Sequence, residues 1–254
     1  MGIGVEGAVS NSFDHGATSG TLNVTTSGTD RILLLFAGMD NVDGTQPQIT
    51  SIATSGLTWI NRTVFQYIDA FNVSWKISTE VWWAYASAQL TSAATVVSFG
   101  AGGVSHIVDG AAVGIVAVSG LTNFSNPFDP NSSLPKTQHD GAGMIQSPPT
   151  VTGVSTTDAN DVLLGMWYAS TSETVPSGPM SGWTQDAQIS DNDGAGTAFI
   201  RFYLQHMIVS SVQSNASVTF TTTAHNSGMI IDALTSAGAV GAKNDELVAV
   251  LMGP

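Results

Sequence analysis

No window longer than about 12 residues in this chain carries a capped helical stripe. The apolar residues come instead in short runs closed by Ser, Thr and Gly. Residues 21–25 alternate apolar and polar before Ser27-Gly28, the period of a half-buried strand. Residues 31–38 are a continuous apolar run of strand length, which predicts a strand covered on both faces. Residues 75–86, 95–99, 113–118, 161–169, 197–210, 216–222 and 228–234 read as further strands, each followed by turn residues. The one helical pattern, at 245–251, is weak. The expectation is an all-β chain folded as an antiparallel β-sandwich.

Composition narrows the function. Only 10% of the 254 residues are charged, against about 25% in an ordinary domain. Nineteen Asp and Glu face six Lys and Arg, a formal net charge of −13. A surface of that sign repels phosphate, which excludes nucleic acid as a partner. A mean hydropathy of +0.18 argues against disorder, and the absence of cysteine excludes a disulfide framework. The longest apolar runs are too short for a membrane helix. The first residues have neither a basic start nor a long apolar stretch, so no signal peptide is expected.

Residues 123–152 differ in texture. Pro127, Pro130, Pro135, Pro148 and Pro149 stand there among Ser, Asp and Gly, as in a long crossover. It splits a domain spanning 1–236 into two halves that echo each other. Thr29-Asp30-Arg31-Ile32-Leu33-Leu34 resembles Ala159-Asn160-Asp161-Val162-Leu163-Leu164. Gly56-Leu57-Thr58-Trp59 resembles Ser181-Gly182-Trp183-Thr184, and residues 94–99 resemble 215–220. The order is the same each time, which suggests a pseudo-duplicated sandwich. Residues 237–254 form a C-terminal tail or an added strand. There a Gly/Ala-rich stretch leads to Leu247, Val248, Ala249, Val250 and Leu251, which suit either a neighbour's sheet edge or a last strand of the same domain.

Groups that could do chemistry are sparse. No Gly-x-Ser-x-Gly elbow is present. The five histidines, His15, His106, His139, His206 and His225, lack metal-ligand spacing. Glu80 beside Val81-Trp82-Trp83 has the look of a sugar site, or of a strand-end carboxylate beside core aromatics. Asp191 and Asp193, in Asp191-Asn192-Asp193-Gly194, offer oxygens and a tight turn that suit Ca²⁺, but no Glu closes the loop. The segment from Asp40 to Gly44 has a similar look, and both suit plain turns. Trp82 and Trp83 are adjacent, so on a strand they point to opposite faces. One belongs in the core, and the other faces solvent, a second sheet, a partner or a glycan.

A family resemblance runs through these segments. It is carried by Asp30-Arg31-Ile32-Leu33-Leu34-Leu35, Gly56-Leu57-Thr58-Trp59, Val81-Trp82-Trp83-Ala84, Asn126-Pro127-Phe128-Asp129, Asp158-Ala159-Asn160-Asp161-Val162-Leu163-Leu164-Gly165 and Ser181-Gly182-Trp183-Thr184. The series resembles the jelly-roll-like β-sandwich domains of bacteriophage virion structural proteins and bacterial surface proteins, over roughly residues 15–235. The resemblance carries no catalytic residue and no cofactor. It implies a non-enzymatic virion protein made in the host cytoplasm: a capsid decoration, cement, fibre or tail subunit. Its partners would be copies of itself and other virion proteins, through Trp82, Trp83, Leu247, Val248, Val250 and Leu251. The alternative expectation is a lectin-like module for adhesion to carbohydrate.

Overall fold

The computed structural model describes residues 2–41, 44–68, 75–101, 108–140, 148–170, 174–192, 199–223 and 227–235. Among them every regular element is a β-strand and every pairing is antiparallel. The first half contributes β1 (Gly4–Phe13), β2 (Ser19–Val24), β3 (Arg31–Asn41), β4 (Pro47–Thr54), β5 (Ile60–Ile68), β6 (Lys76–Ala86), β7 (Ala93–Ala101) and β8 (Gly110–Ser119). The second contributes β9 (Lys136–Asp140), β10 (Thr150–Val154), β11 (Val162–Ala169), β12 (Thr184–Asn192), β13 (Phe199–Ile208), β14 (Ala216–Thr219) and β15 (Ser227–Leu234). The weak helical pattern at 245–251 lies outside the described residues.

Four sheets are stacked. Two five-stranded sheets, ordered β1-β8-β3-β6-β5 and β12-β13-β11-β15-β9, face each other across a large apolar core. The three-stranded sheet β2-β7-β4 covers the outer face of the first, and the pair β10-β14 covers that of the second. This explains the continuous apolar run at residues 31–38. On β3, Ile32, Leu34 and Phe36 enter the central core while Leu33, Leu35 and Ala37 enter the outer one. β8, β11 and β15 are likewise buried along their whole length. A strand between two layers has no solvent face and therefore loses its alternation.

The Pro-rich crossover is not a bare loop. It holds β9, which pairs with β15 and forms an edge of the second sheet. β1, β4, β5, β10 and β12 also carry no clear apolar signature, because each lies at an edge or in an outer layer.

Reversed, the second sheet reads β9-β15-β11-β13-β12, the same plan as β1-β8-β3-β6-β5. The contacts between the sheets are reciprocal too. β1 touches β12 through a hydrogen bond from Ser12 to Asp191, and β5 touches β9 through Phe65 and Tyr67 against His139. Gly114 of β8 lies against Phe202 of β13, and Gly228 of β15 lies against Thr79 of β6. The non-glycine residues with positive φ also fall in matched places. Asp30 (59°) and Asn160 (65°) precede β3 and β11, while Ser92 (48°) and Asn215 (52°) precede β7 and β14. Left-handed backbone is costly for most side chains, and Asp and Asn adopt it most readily.

Candidate functional site

A cleft of about 750 Å³ lies at one end of the first half, between the loop entering β3 and the segment leaving β8. Its polar wall is built from a buried anchor. Arg31 opens β3 with 8% of its surface exposed. Its guanidinium pairs with Glu6 of β1 and the carbonyl of Thr29, and donates to the Ser27 hydroxyl at 3.2 Å. Glu6 also accepts from the Ser27 amide at 2.8 Å and the Ser27 hydroxyl at 2.6 Å. Burial pushes the Glu6 carboxyl up, but the Ser27 hydrogen bonds and the Arg31 charge outweigh it and hold it below the usual carboxylate range.

Asp30 stands on this platform. Its Oδ1 accepts from the Tyr85 hydroxyl at 2.5 Å, which raises the phenol above its ordinary value. The Tyr85 ring stacks on Phe124, centroids 4.5 Å apart and planes 20° from parallel. The open cleft is therefore lined by the Asp30 carboxylate, the hydroxyls of Ser27, Thr29 and Thr122, and the Phe124 ring, with Tyr85 bracing Asp30 and Phe124. That set can hydrogen-bond and stack against a polar ring.

The other buried ionisable groups hold strands and layers together. Glu80 sits in the middle of β6, not at a strand end, and is 1% exposed. Its carboxylate accepts from the Ile49 amide of β4 at 2.9 Å and the Trp82 indole at 2.7 Å, tying the first sheet to its outer cover. Burial raises its pKa, against the pull of those hydrogen bonds. Asp186 meets His206 at 2.8 Å, and burial raises the Asp186 carboxyl. Asp129 accepts from the Asn131 and Thr157 amides, both at 2.7 Å. His15, half exposed, pairs with the buried Asp109 at 2.6 Å.

The tryptophans do point to opposite faces. Trp83 is 8% exposed in the central core, edge-on to Phe128 at 5.8 Å. Trp82, half-buried, packs toward the outer cover. A second sheet, rather than an open groove, receives each ring. Asp191 is exposed at the end of β12, and its carboxylate accepts from Ser12 at 2.6 Å and the Asn192 amide at 2.9 Å. Asp193 lies outside the described residues, as do His106, His225, Leu247, Val248, Val250 and Leu251. Asp40 is not in a solvent turn but buried at the end of β3. Among the described residues no three His, Asp or Glu side chains are grouped to hold a metal ion.

Sequence reasoning missed the cleft because Asp30, Phe124 and the bracing Tyr85 are far apart in the chain. The left-handed Asp30, in the repeated segment before β3, is the one local signal that could have led to it. Comparison with family models, with curated proteins and with solved structures returns no match for this chain.

Proposed function

We propose that this chain is a structural brick: two jelly rolls in tandem, packed sheet to sheet, forming a non-enzymatic subunit of a virion. The observation that carries the reading is how strands interleave. In the first half β1 pairs β8, β2 pairs β7 and β3 pairs β6, as in one long hairpin. β8 then pairs β3, and β7 pairs β4, as when that hairpin is wrapped into two layers. The second half repeats the scheme, with β9 on β15, β10 on β14, β11 on β13, and β15 on β11. Eight strands wrapped in this way, as in the first half, make the jelly roll, an architecture of viral capsid and lectin domains, and the second half follows the plan with seven described strands, without a counterpart of β4. Duplication explains why the two central sheets meet reciprocally, as two copies do about a dyad.

Chemistry supports the structural role over a catalytic one. The buried carboxylates Asp40, Glu80, Asp129, Asp186 and Asp232 accept hydrogen bonds that brace neighbouring strands, loops or layers. A charge of −13 keeps copies apart until a specific surface brings them together. The partners are other copies and other virion proteins. Scattering mass of the native protein at high concentration, with imaging of particles, tests this. A defined oligomer or a particle-bound species is expected, and a strict monomer at all concentrations defeats it.

The cleft lined by Asp30 and Phe124, both braced by Tyr85, favours a second reading, an adhesion module for carbohydrate. Binding on a glycan array that is lost in Tyr85→Ala would establish it.

A further inference from the structure

We propose that residues 247–252 of the chain add to the exposed edge of β5 as a sixth strand of the first central sheet. β5 is the outermost strand of that sheet and exposes Ile60 (46%), Val64 (44%) and Ile68 (51%). Val64 and Ile68 are in register with Glu80 and Lys76, on the face that the three-stranded sheet covers elsewhere. That cover ends at β4, which stands over β6, so among the described residues no strand lies over these side chains. An apolar strand edge facing water is an aggregation hazard that folded chains cover or charge.

The fold does not demand this exposure. β12 has the same position beside β13 that β5 has beside β6. Its exposed residues are Thr184, Gln185, Gln188, Ser190, Asp191 and Asn192. The exposed residues of β12 are all polar, whereas on β5 the large apolar Ile60, Val64 and Ile68 are exposed beside Asn61 and Gln66, so the β5 edge is built to be covered.

The chain carries a suitable cover close by. Asp232 of β15 is paired with Arg62 of β5, at 2.9 and 3.3 Å. The described chain therefore ends, at Thr235, beside the start of β5. Residues 236–246 then span up to about 36 Å when extended. From Arg62 to Ile68 is about 20 Å of strand. The small-residue segment is long enough to run along β5 and let Leu247-Val248-Ala249-Val250-Leu251-Met252 return antiparallel to it. Those six residues are apolar throughout, so an added strand would lay apolar side chains beside Val64 and Ile68. Asp245 and Glu246 would then enter beside Lys76, which is opposite Ile68. A tether this short gives an effective concentration near millimolar, so the chain's own segment outcompetes a second copy in dilute solution.

The inference stands apart from the structural-brick reading, since the edge needs covering whatever the chain assembles with. The absence of cysteine allows a clean test. Val64→Cys is combined in turn with Val248→Cys, Ala249→Cys, Val250→Cys and Leu251→Cys, and each pair is oxidised at micromolar concentration. At least one pair is expected to close within a single chain, with monomer mass. Disulfides that join two chains, which would place a second copy on the edge, overturn the proposal, and so does failure of every pair. Hydrogen exchange adds a second readout. In a chain ending at Thr235 the edge-facing β5 amides should exchange about tenfold faster or more, with the β3 amides unchanged. Equal exchange at β5 in the two chains overturns it.

Discussion

The Tyr168 hydroxyl donates a 2.8 Å hydrogen bond to Oδ1 of Asp40, joining β11 to β3 across the central core. Both residues are fully buried and 128 positions apart. A hydrogen bond to a charged group contributes about 1.5–3 kcal/mol, and a buried acceptor that loses its donor carries the full desolvation penalty. Tyr168→Phe should therefore lower stability by about 2 kcal/mol, read as a lower midpoint in urea with an unchanged slope. An unchanged midpoint would show that this contact holds nothing together.

Tyr168 and Tyr203 also predict how the fold fails in alkali. Burial raises both phenols, Tyr203 to about 12 and Tyr168 well above its ordinary value, with Asp40 adding to the shift at Tyr168. In the unfolded chain each ionises near pH 10. A folded pKa above the unfolded one means stability that is complete below pH 10 and is lost as pH rises toward 12 and beyond. Far-UV circular dichroism should hold steady from pH 7 to about 10 and then fall, together with a rise in phenolate absorbance. A signal flat to pH 12 would contradict the burial of these two rings.

Gly38 faces the same Tyr168. A Cβ built on Gly38 would lie 2.1 Å from the Tyr168 Cγ and 2.6 Å from its Cβ, the fixed base of the side chain. Overpacking of this kind costs about 1–3 kcal/mol. Gly38→Ala should lower the thermal midpoint clearly, whereas Gly178→Ala, where no atom stands within 4 Å, should leave it nearly unchanged. Equal midpoints for the two variants would mean that the central sheets can slide apart to make room.

What could be read from the sequence follows from how far each signal reaches. The run Ile32-Leu33-Leu34-Leu35-Phe36 announces burial on both faces, because hydrophobicity is local to the strand. The echo of Thr29-Asp30-Arg31 in Ala159-Asn160-Asp161 was visible because matched left-handed positions select Asp and Asn. Edge strands were not visible, since β5 and β12 share a place in the fold but not a pattern of side chains. The roles of the buried charges were hidden for a different reason. Glu80 looks like a site residue beside Trp82 and Trp83, and only Ile49, 31 residues away, reveals it as a brace. The cleft at Asp30 is likewise closed by Phe124 and braced by Tyr85, whose proximity no spacing announces.

Arg62 and Asp232 form the corresponding brace between β5 and β15, 170 residues apart. Asp232 is 1% exposed, and the Arg62 guanidinium also lies 4.1 Å from the centre of the Phe128 ring. Burial raises the Asp232 carboxyl, while the Arg62 hydrogen bond and charge pull it down. Arg62→Met removes the pull and leaves an unpaired buried carboxylate, at a cost of about 3 kcal/mol or more near neutral pH. With Arg62 gone the folded pKa climbs further above the unfolded value near 4. The contribution of Asp232 to the variant's stability is therefore fully present below pH 4 and is lost as pH rises. Denaturant midpoints at pH 4 and pH 8 should show a small gap from the parent chain at the lower pH and a large one at the higher. Adding Asp232→Leu should recover much of the loss at pH 8, because an apolar pair replaces a stranded charge. A gap that is the same at both pH values, or a double variant no better than the single one, would remove the ion pair from any part in holding the two central sheets together.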